Sequence, residues 1–347
     1  MDNQTSNKDF HFLAFSSSEK FHPFLSVVFF SLYFIGILWN LAIIIVIFMD
    51  THLHTPMYFF LCNLSVEDIC STTVTLPKLI YILLSGNNSI TPIQCFTQMS
   101  FFILMATTIT LLLPSMAYDC YVAICNPLNY HRIMNKDKCV LLLIGIWITG
   151  CVNAFFLTSL ISSLPLCKST NIHQFYCDGK ALAKITCPDI RFSIIFFLET
   201  ILLGFLPFLL TLVSYIKIIG SVLSMKSNDS RRKAFSTCTS HLTVLFIFYG
   251  TLMCVYLKSL FKQTEELDNL FSVLYTAVTP MLNPAIYSLR NREVKNALMK
   301  ILVHSTNRTR LVLKHCKFCC IFITNDNEGY LQRKNGILDH KCKKQDS

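Results

Sequence analysis

"PFLSVVFFSLYFIGILWNLAIIIVIF" occupies residues 23–48 without one charged side chain. A bilayer core of about 30 Å needs roughly 20 apolar residues in a helix, so this run is long enough to span a membrane. Six more runs follow, at 57–84, 96–124, 139–161, 192–219, 236–257 and 269–289. In hydrocarbon each span must satisfy its own backbone hydrogen bonds, so each is expected to be a helix. Composition agrees: the 347 residues are 53% hydrophobic and 14% charged, with a mean hydropathy of +0.50, too apolar for a soluble domain of that length. The expected fold is an all-α membrane protein, a seven-transmembrane helix bundle.

The loops set the orientation. Those after spans two, four and six, with the N-terminus, carry eight Lys/Arg; the opposite set, with the segment after span seven, carries twelve. The basic side is expected in the cytoplasm, which puts the N-terminus outside. The first 22 residues are polar and mixed and lack a cleavable signal pattern, so span one serves as its own targeting signal. The expected organisation is an extracellular tail at 1–22, a seven-transmembrane domain at 23–302 and a cytoplasmic, disordered tail at 303–347. The net charge of +10 reads as contact with anionic lipid rather than nucleic acid.

Cysteines fit this topology. Most of the 16 lie inside spans, where Cys is a small core residue. Cys95, Cys167, Cys177 and Cys187 fall on the outer side, an even number that suggests two disulfides in any of three pairings. Asn3-Gln4-Thr5 is a glycosylation sequon on the outer tail, and Asn87-Asn88-Ser89 is a second, close to the membrane. The match at Asn63 lies inside a span, and those at Asn228 and Asn307 are cytoplasmic.

Ionisable side chains within spans are costly and call for a reason. Asp68 lies in span two, Asp119 at the inner end of span three, Glu199 in the outer half of span five and His241 near the inner end of span six. Each either bonds neighbouring helices together or belongs to a site. Pro207 and Pro284 are expected to break their helix ladders. The Asn283-Pro284-Ala285-Ile286-Tyr287 segment combines a kink, an amide and a phenol, as a two-state element requires.

Four stretches in order carry a resemblance: "PMYFFLCNLSVEDIC" (56–70), "MAYDCYVAICNPLNY" (116–130), "RRKAFSTCTSHLTVLFIFYGT" (231–251) and "PMLNPAIYSLRNREVKNAL" (280–298). Together they resemble the olfactory receptors, a large branch of the rhodopsin-like G-protein-coupled receptors, from the N-terminus to about residue 302. The resemblance implies a short cytoplasmic amphipathic helix after span seven. It implies the disulfides Cys95–Cys177 and Cys167–Cys187, the latter pair flanking "HQFYCD" (173–178). Asn40, Asp68, Trp147, Pro207 and Pro284 fall on the reference positions of their helices. Ile103, Ala106, Thr107, Glu199, Leu203, Tyr249, Leu252, Tyr256 and Thr276 match positions lining the odorant pocket, which is expected to be mostly apolar. The coupling set is Asp68, Asp119, Cys120, Tyr121, Tyr215, His241, Asn283, Pro284 and Tyr287, and Asn3 is the glycosylation site. The implied function is binding of small apolar odorants and signalling through a stimulatory G protein, with membrane lipid as the other partner. No cofactor and no metal are implied.

The chain departs from that pattern near span three. Where the family has Asp-Arg-Tyr, Cys120 replaces the arginine, and a thiol cannot replace a guanidinium fork. Asp119 then has to find water, a proton or a distant Lys. Ile109 stands where a glutamate is usual, Pro114 interrupts span three and Trp39 replaces a glycine. These departures point to an alternative, a relative that binds ligand but couples or traffics poorly. The tail beyond Leu302 holds "HCKFCC" (315–320), where Cys316, Cys319 and Cys320 are candidates for palmitoylation. Other classes fit less well. A transporter needs repeated halves, and an intramembrane enzyme needs paired groups at one depth, whereas Asp68, Glu199 and His241 lie at different depths.

Overall fold

Each long helix begins and ends where the sequence gives its backbone a reason. The computed structural model describes residues 9–15, 20–167, 170–225, 227–257, 265–291 and 293–300. It divides into Met1–Lys295 and Asn296–Ser347, and the architecture below is that of the first. The helix α1 runs over His22–Met49 with a proline in its first turn, where its missing N–H costs nothing. α2, Pro56–Ser85, also starts on proline and ends at Gly86, whose φ of 70° provides a left-handed cap that glycine adopts without strain. α3, Pro92–Cys125, opens with a capping box between Thr91 and Gln94. α4, Lys136–Ser162, is capped by Asn135. α5 comprises Ile190–Glu199, a π-helical turn Thr200–Phe205 and Leu206–Ser224. α6 is Asn228–Leu257. α7 comprises Glu265–Val273, a π-helical turn Leu274–Val278 and Thr279–Arg290. Residues 293–300 are helical as well, where the short helix after span seven is expected.

The two π turns have a common cause. Pro207 and Pro280 lack an N–H, and each proline ring crowds the carbonyl four residues back. In α5 the wide turn ends two residues before Pro207. In α7 it ends two residues before Pro280, and the Thr279 hydroxyl donates to the Leu274 carbonyl at 2.9 Å. Pro114 and Pro284, read from sequence as interruptions, lie inside continuous helix.

Among the described residues, four helices, α1, α3, α4 and α5, are long and apolar enough to cross a membrane by length and composition. α2 has the length but carries Glu67, Asp68 and Lys78. It packs between α1 and α3 and also meets α7, while α3 packs on α2, α4 and α5. Gly150 permits the close approach of α4 to α3. A Cβ there would sit 2.8 Å from both Leu104 Cδ1 and Thr108 Oγ1. The outward faces are apolar, with Phe155 75% and Phe246 81% exposed, a surface of the kind that a membrane covers.

One end of the bundle is closed by a small sheet in the order β2-β1-β3. β1 (Phe10–Phe12) pairs antiparallel with β2 (Ser89–Ile90) and parallel with β3 (Asn171–Ile172). Part of what reads in sequence as a polar tail is therefore built into the fold. Strand alternation explains how: Phe10 and Phe12 are both buried, on either side of His11. They join a core with Ile90, Cys95, Ile172 and Cys177. The structure bonds Cys95 to Cys177, tying α3 to the loop above it, and Cys167 to Cys187 within that loop.

Loss of a disulfide of this kind costs about 2–4 kcal/mol, and a buried Phe→Ala about 3–5 kcal/mol. Cys95→Ser, Cys177→Ser and Phe12→Ala are each expected to reduce surface display severely, measured by staining an N-terminal tag on intact cells. Peptide mapping without reductant checks the pairing; a different linkage refutes it.

Candidate functional site

Beneath the sheet lies a cavity of about 280 Å³ between α3, α5, α6 and the 177–187 loop. α3 points Ile103, Ala106 and Thr107 at it, three positions that share a face at i, i+3 and i+4. α5 supplies Glu199 and Leu203, and α6 supplies Tyr249 and Leu252. Seven of the nine pocket positions expected from sequence thus meet at one cavity. Thr276 does not. It is buried on the π turn of α7, its hydroxyl donates to the Ser272 carbonyl at 2.8 Å, and its neighbour Tyr275 reaches the cavity instead. A π turn holds one extra residue and so shifts the register of the face. The side chain of Tyr256 lies outside the described residues.

Glu199 is the one carboxylate among the lining residues contributed by the spans. The Asn153 amide of α4 donates one N–H to Glu199 Oε1 at 3.2 Å and another to Thr107 Oγ1 at 3.0 Å. Both donors of that amide are spent on orienting cavity groups. Glu199 is therefore both bound to a neighbouring helix and open to the cavity, two readings that sequence leaves as alternatives. The Thr107 hydroxyl itself donates to the Ile103 carbonyl.

The mouth is closed by residues that sequence reasoning missed. A single turn of helix, Gly179–Ala183, lies over the cavity and brings Asp178, Gly179 and Lys180 to it. A Cβ on Gly179 would stand 3.2 Å from Ile161 Cδ1, so a side chain there would require Ile161 to give way by a few tenths of an ångström. Burial pushes the Asp178 carboxyl above the usual carboxylate range, opposed by Lys180 and by backbone N–H donors. Burial likewise lowers the Lys180 ammonium, opposed by Asp178. Phe102, Tyr176 and Phe208 complete the apolar wall. Asn153 had a signal, an amide in an otherwise apolar span; Lys180 had none, because loops carry no periodicity.

The coupling candidates fall into three clusters toward the other end. Asn283 donates to both Asp68 oxygens at 3.0 and 3.1 Å, joining α7 to α2 beside Pro284. Asn40 donates to the Pro280 carbonyl at 3.2 Å. Tyr215 bonds His241 Nδ1 at 2.7 Å, joining α5 to α6. Tyr287 is buried. Asp119 accepts from the Tyr130 hydroxyl at 2.9 Å. The sequence expectation of water, a proton or a distant Lys did not include this phenol, which ends the same motif. Cys120 is buried among Cys238, Tyr215 and Tyr287. Tyr121 lies under the Lys217 ammonium, 5.6 Å from the ring centroid. Tyr58 donates to Glu293 Oε2 at 2.7 Å and lies 3.2 Å from Asn291 Oδ1, tying the start of α2 to the residues after α7. Asn3 and the 303–347 tail lie outside the described residues.

Comparison with known proteins covers most of the chain. The family model described as olfactory receptor matches residues 29–305. "Olfactory receptor-like protein OLF4" of Canis lupus familiaris is 43% identical over 299 residues, 86% of this chain and 97% of that protein. Olfactory receptor 13F1 of Homo sapiens is 42% identical over 311 residues, 89% and 98% of the two chains. Olfactory receptor 1 of Rattus norvegicus is 42% identical over 300 residues, 86% and 96%. Residues 306–347 lie beyond the family match.

Asn153→Leu leaves Glu199 and Thr107 without their shared donor, and an unsatisfied buried polar group costs about 1–3 kcal/mol. A fall in the melting temperature of the purified receptor is expected, with Asn153→Gln falling less. No change in melting temperature for Asn153→Leu means the amide does not brace the cavity.

Proposed function

The chain belongs to the olfactory receptor family, and on that premise we propose that it binds small, mostly apolar odorants in the cavity and signals to a stimulatory heterotrimeric G protein. Family membership makes it a multi-pass receptor of the plasma membrane and not an enzyme. The proposed orientation puts the N-terminus, β1–β3 and both disulfides outside, where an oxidising compartment keeps them bonded, with Asn3 glycosylated on that face. The coupling clusters then face the cytoplasm.

The observation that supports odorant binding best is the cavity itself. It is small and mostly apolar, and the carboxylate that the spans bring to it, Glu199, is held by Asn153, whose amide also donates to Thr107. Such a site takes a ligand of few heavy atoms by burying its hydrocarbon and fixes its orientation through one polar group. Glu199 selects that polar group. An amine or hydroxyl donates to it when it is ionised; a carbonyl accepts from it when it is protonated. The Asp68–Asn283 and Tyr215–His241 bonds join helices that have to move relative to each other if binding is to reach the opposite face.

At the span-three switch, Tyr130 gives Asp119 a neutral partner in place of a neighbouring arginine. A guanidinium brings five N–H donors and a permanent charge, neither of which a buried thiol supplies.

Two outcomes are expected in cells with verified surface display and a cyclic-AMP readout. Glu199→Gln keeps an acceptor for Asn153 but removes the charge, so amine agonists should lose about tenfold in potency relative to neutral agonists, in line with a charge-assisted bond. Identical agonist ranking for the two forms removes Glu199 from ligand recognition. Cys120→Arg should raise the stimulated cyclic-AMP response at equal surface level, most clearly in combination with Pro114→Ala. A strong native response that neither change improves refutes the role given to position 120.

A further inference from the structure

Lys78 is a cation inside a membrane span, and nothing in odorant binding or coupling uses it. It lies on α2 seven residues before the helix ends at Ser85, about 10 Å along the axis. Its ammonium donates to the Ser89 carbonyl at 2.8 Å and stands 5.0 Å from the Tyr81 ring centroid. Neither partner is an acid, and among the described residues no carboxylate pairs with it. A charge at membrane depth without a counter-charge marks a site. An ammonium has three donors, and Ser89 takes one.

The surroundings fit a particular ligand. Lys78 lines a groove on the outside of the bundle, between α2 and α3, separate from the odorant cavity. One wall is apolar: Val74, Ile93 and Phe101, the last two 80% and 51% exposed. Near the helix ends the lining turns polar, with Gln94 and the exposed Thr97, both able to donate. Tyr81, half-exposed, stands where aromatic side chains anchor at the membrane interface. Because Lys78 reaches up toward Ser89, its charge lies near the boundary of headgroup and hydrocarbon, which is about 7 Å below the membrane surface.

We propose that this groove holds one glycerophospholipid of the adjoining leaflet, with its phosphate on Lys78 and Thr97 and an acyl chain along Val74 and Phe101. The phosphate supplies the counter-charge that Lys78 lacks, and the chain covers the exposed apolar wall. The bound lipid also braces the β2 turn through Ser89, and β2 pairs with β1 above the cavity.

The test is native mass spectrometry of the full-length receptor, purified in mild detergent and titrated with a short-chain phosphatidylcholine, alongside Lys78→Gln, Lys78→Arg and Thr97→Trp. The wild type should retain one lipid above the background of weaker adducts. Lys78→Gln should weaken retention about fivefold, as expected for loss of one cation at a lipid phosphate, while Lys78→Arg retains it. Thr97→Trp fills the groove without touching the Lys78–Ser89 bond and should expel the lipid from a receptor of unchanged melting temperature; it is the decisive variant if Lys78→Gln fails to fold. Absence of a tight lipid, or equal retention by the wild type and Thr97→Trp, overturns the proposal. So does a dimer that Thr97→Trp converts to monomer, because the groove would then be a contact between copies.

Discussion

A peptide group in hydrocarbon has no water to bond, and that constraint governs this molecule. It turns each apolar run into a helix and makes every proline a local problem. The solutions differ by position. At helix starts, Pro23, Pro56 and Pro92 replace N–H groups that would be unpaired anyway. Ahead of Pro207 and Pro280 the ladder widens into a π turn, so the freed carbonyls find other partners and the faces beyond are re-aimed. The cavity depends on this adjustment, because Thr200, Leu203 and Gly204 reach it from one such turn and Tyr275 from the other.

Polar side chains obey the same constraint. α2 brings Glu67, Asp68 and Lys78 into the membrane, a combination that composition penalises. The two acids are buried, and Asp68 is held by Asn283. Lys78 lines a peripheral groove instead, where its ammonium donates to the Ser89 carbonyl. Partner choice elsewhere follows reach rather than formal charge: Asp119 takes a phenol, His241 another, and Glu199 an amide. The result is a bundle joined at several depths by single hydrogen bonds, each individually weak enough to exchange when helices shift.

The end above the cavity is built differently. There, strands, disulfides and a buried loop replace span-to-span packing. The loop is held at Cys177 and closes on the cavity through Gly179, where even a methyl group would press on Ile161. The part of the cavity lining that includes Asp178 and Lys180 is thus supplied by a segment with no regular pattern of its own.

Much of this was legible in the sequence. Spans of about 20 apolar residues, the four ordered motifs and the matching pocket positions on α3, α5 and α6 are local or periodic signals, and helical geometry carries them directly into space. Cys120 beside Asp119 was equally plain as a departure. What only the tertiary structure decided concerns groups brought together from afar or shifted by irregular backbone. Thr276 left the pocket face because a π turn moved the register by one residue. Tyr130 became the partner of Asp119 because a helix end folded back. Phe10 and Phe12 entered the core because two distant strands offered β1 its hydrogen bonds. Lys180 reached the cavity because a disulfide fixed its loop. None of these has a period in the sequence; each follows from which backbone and side-chain groups the packed bundle left in need of a partner.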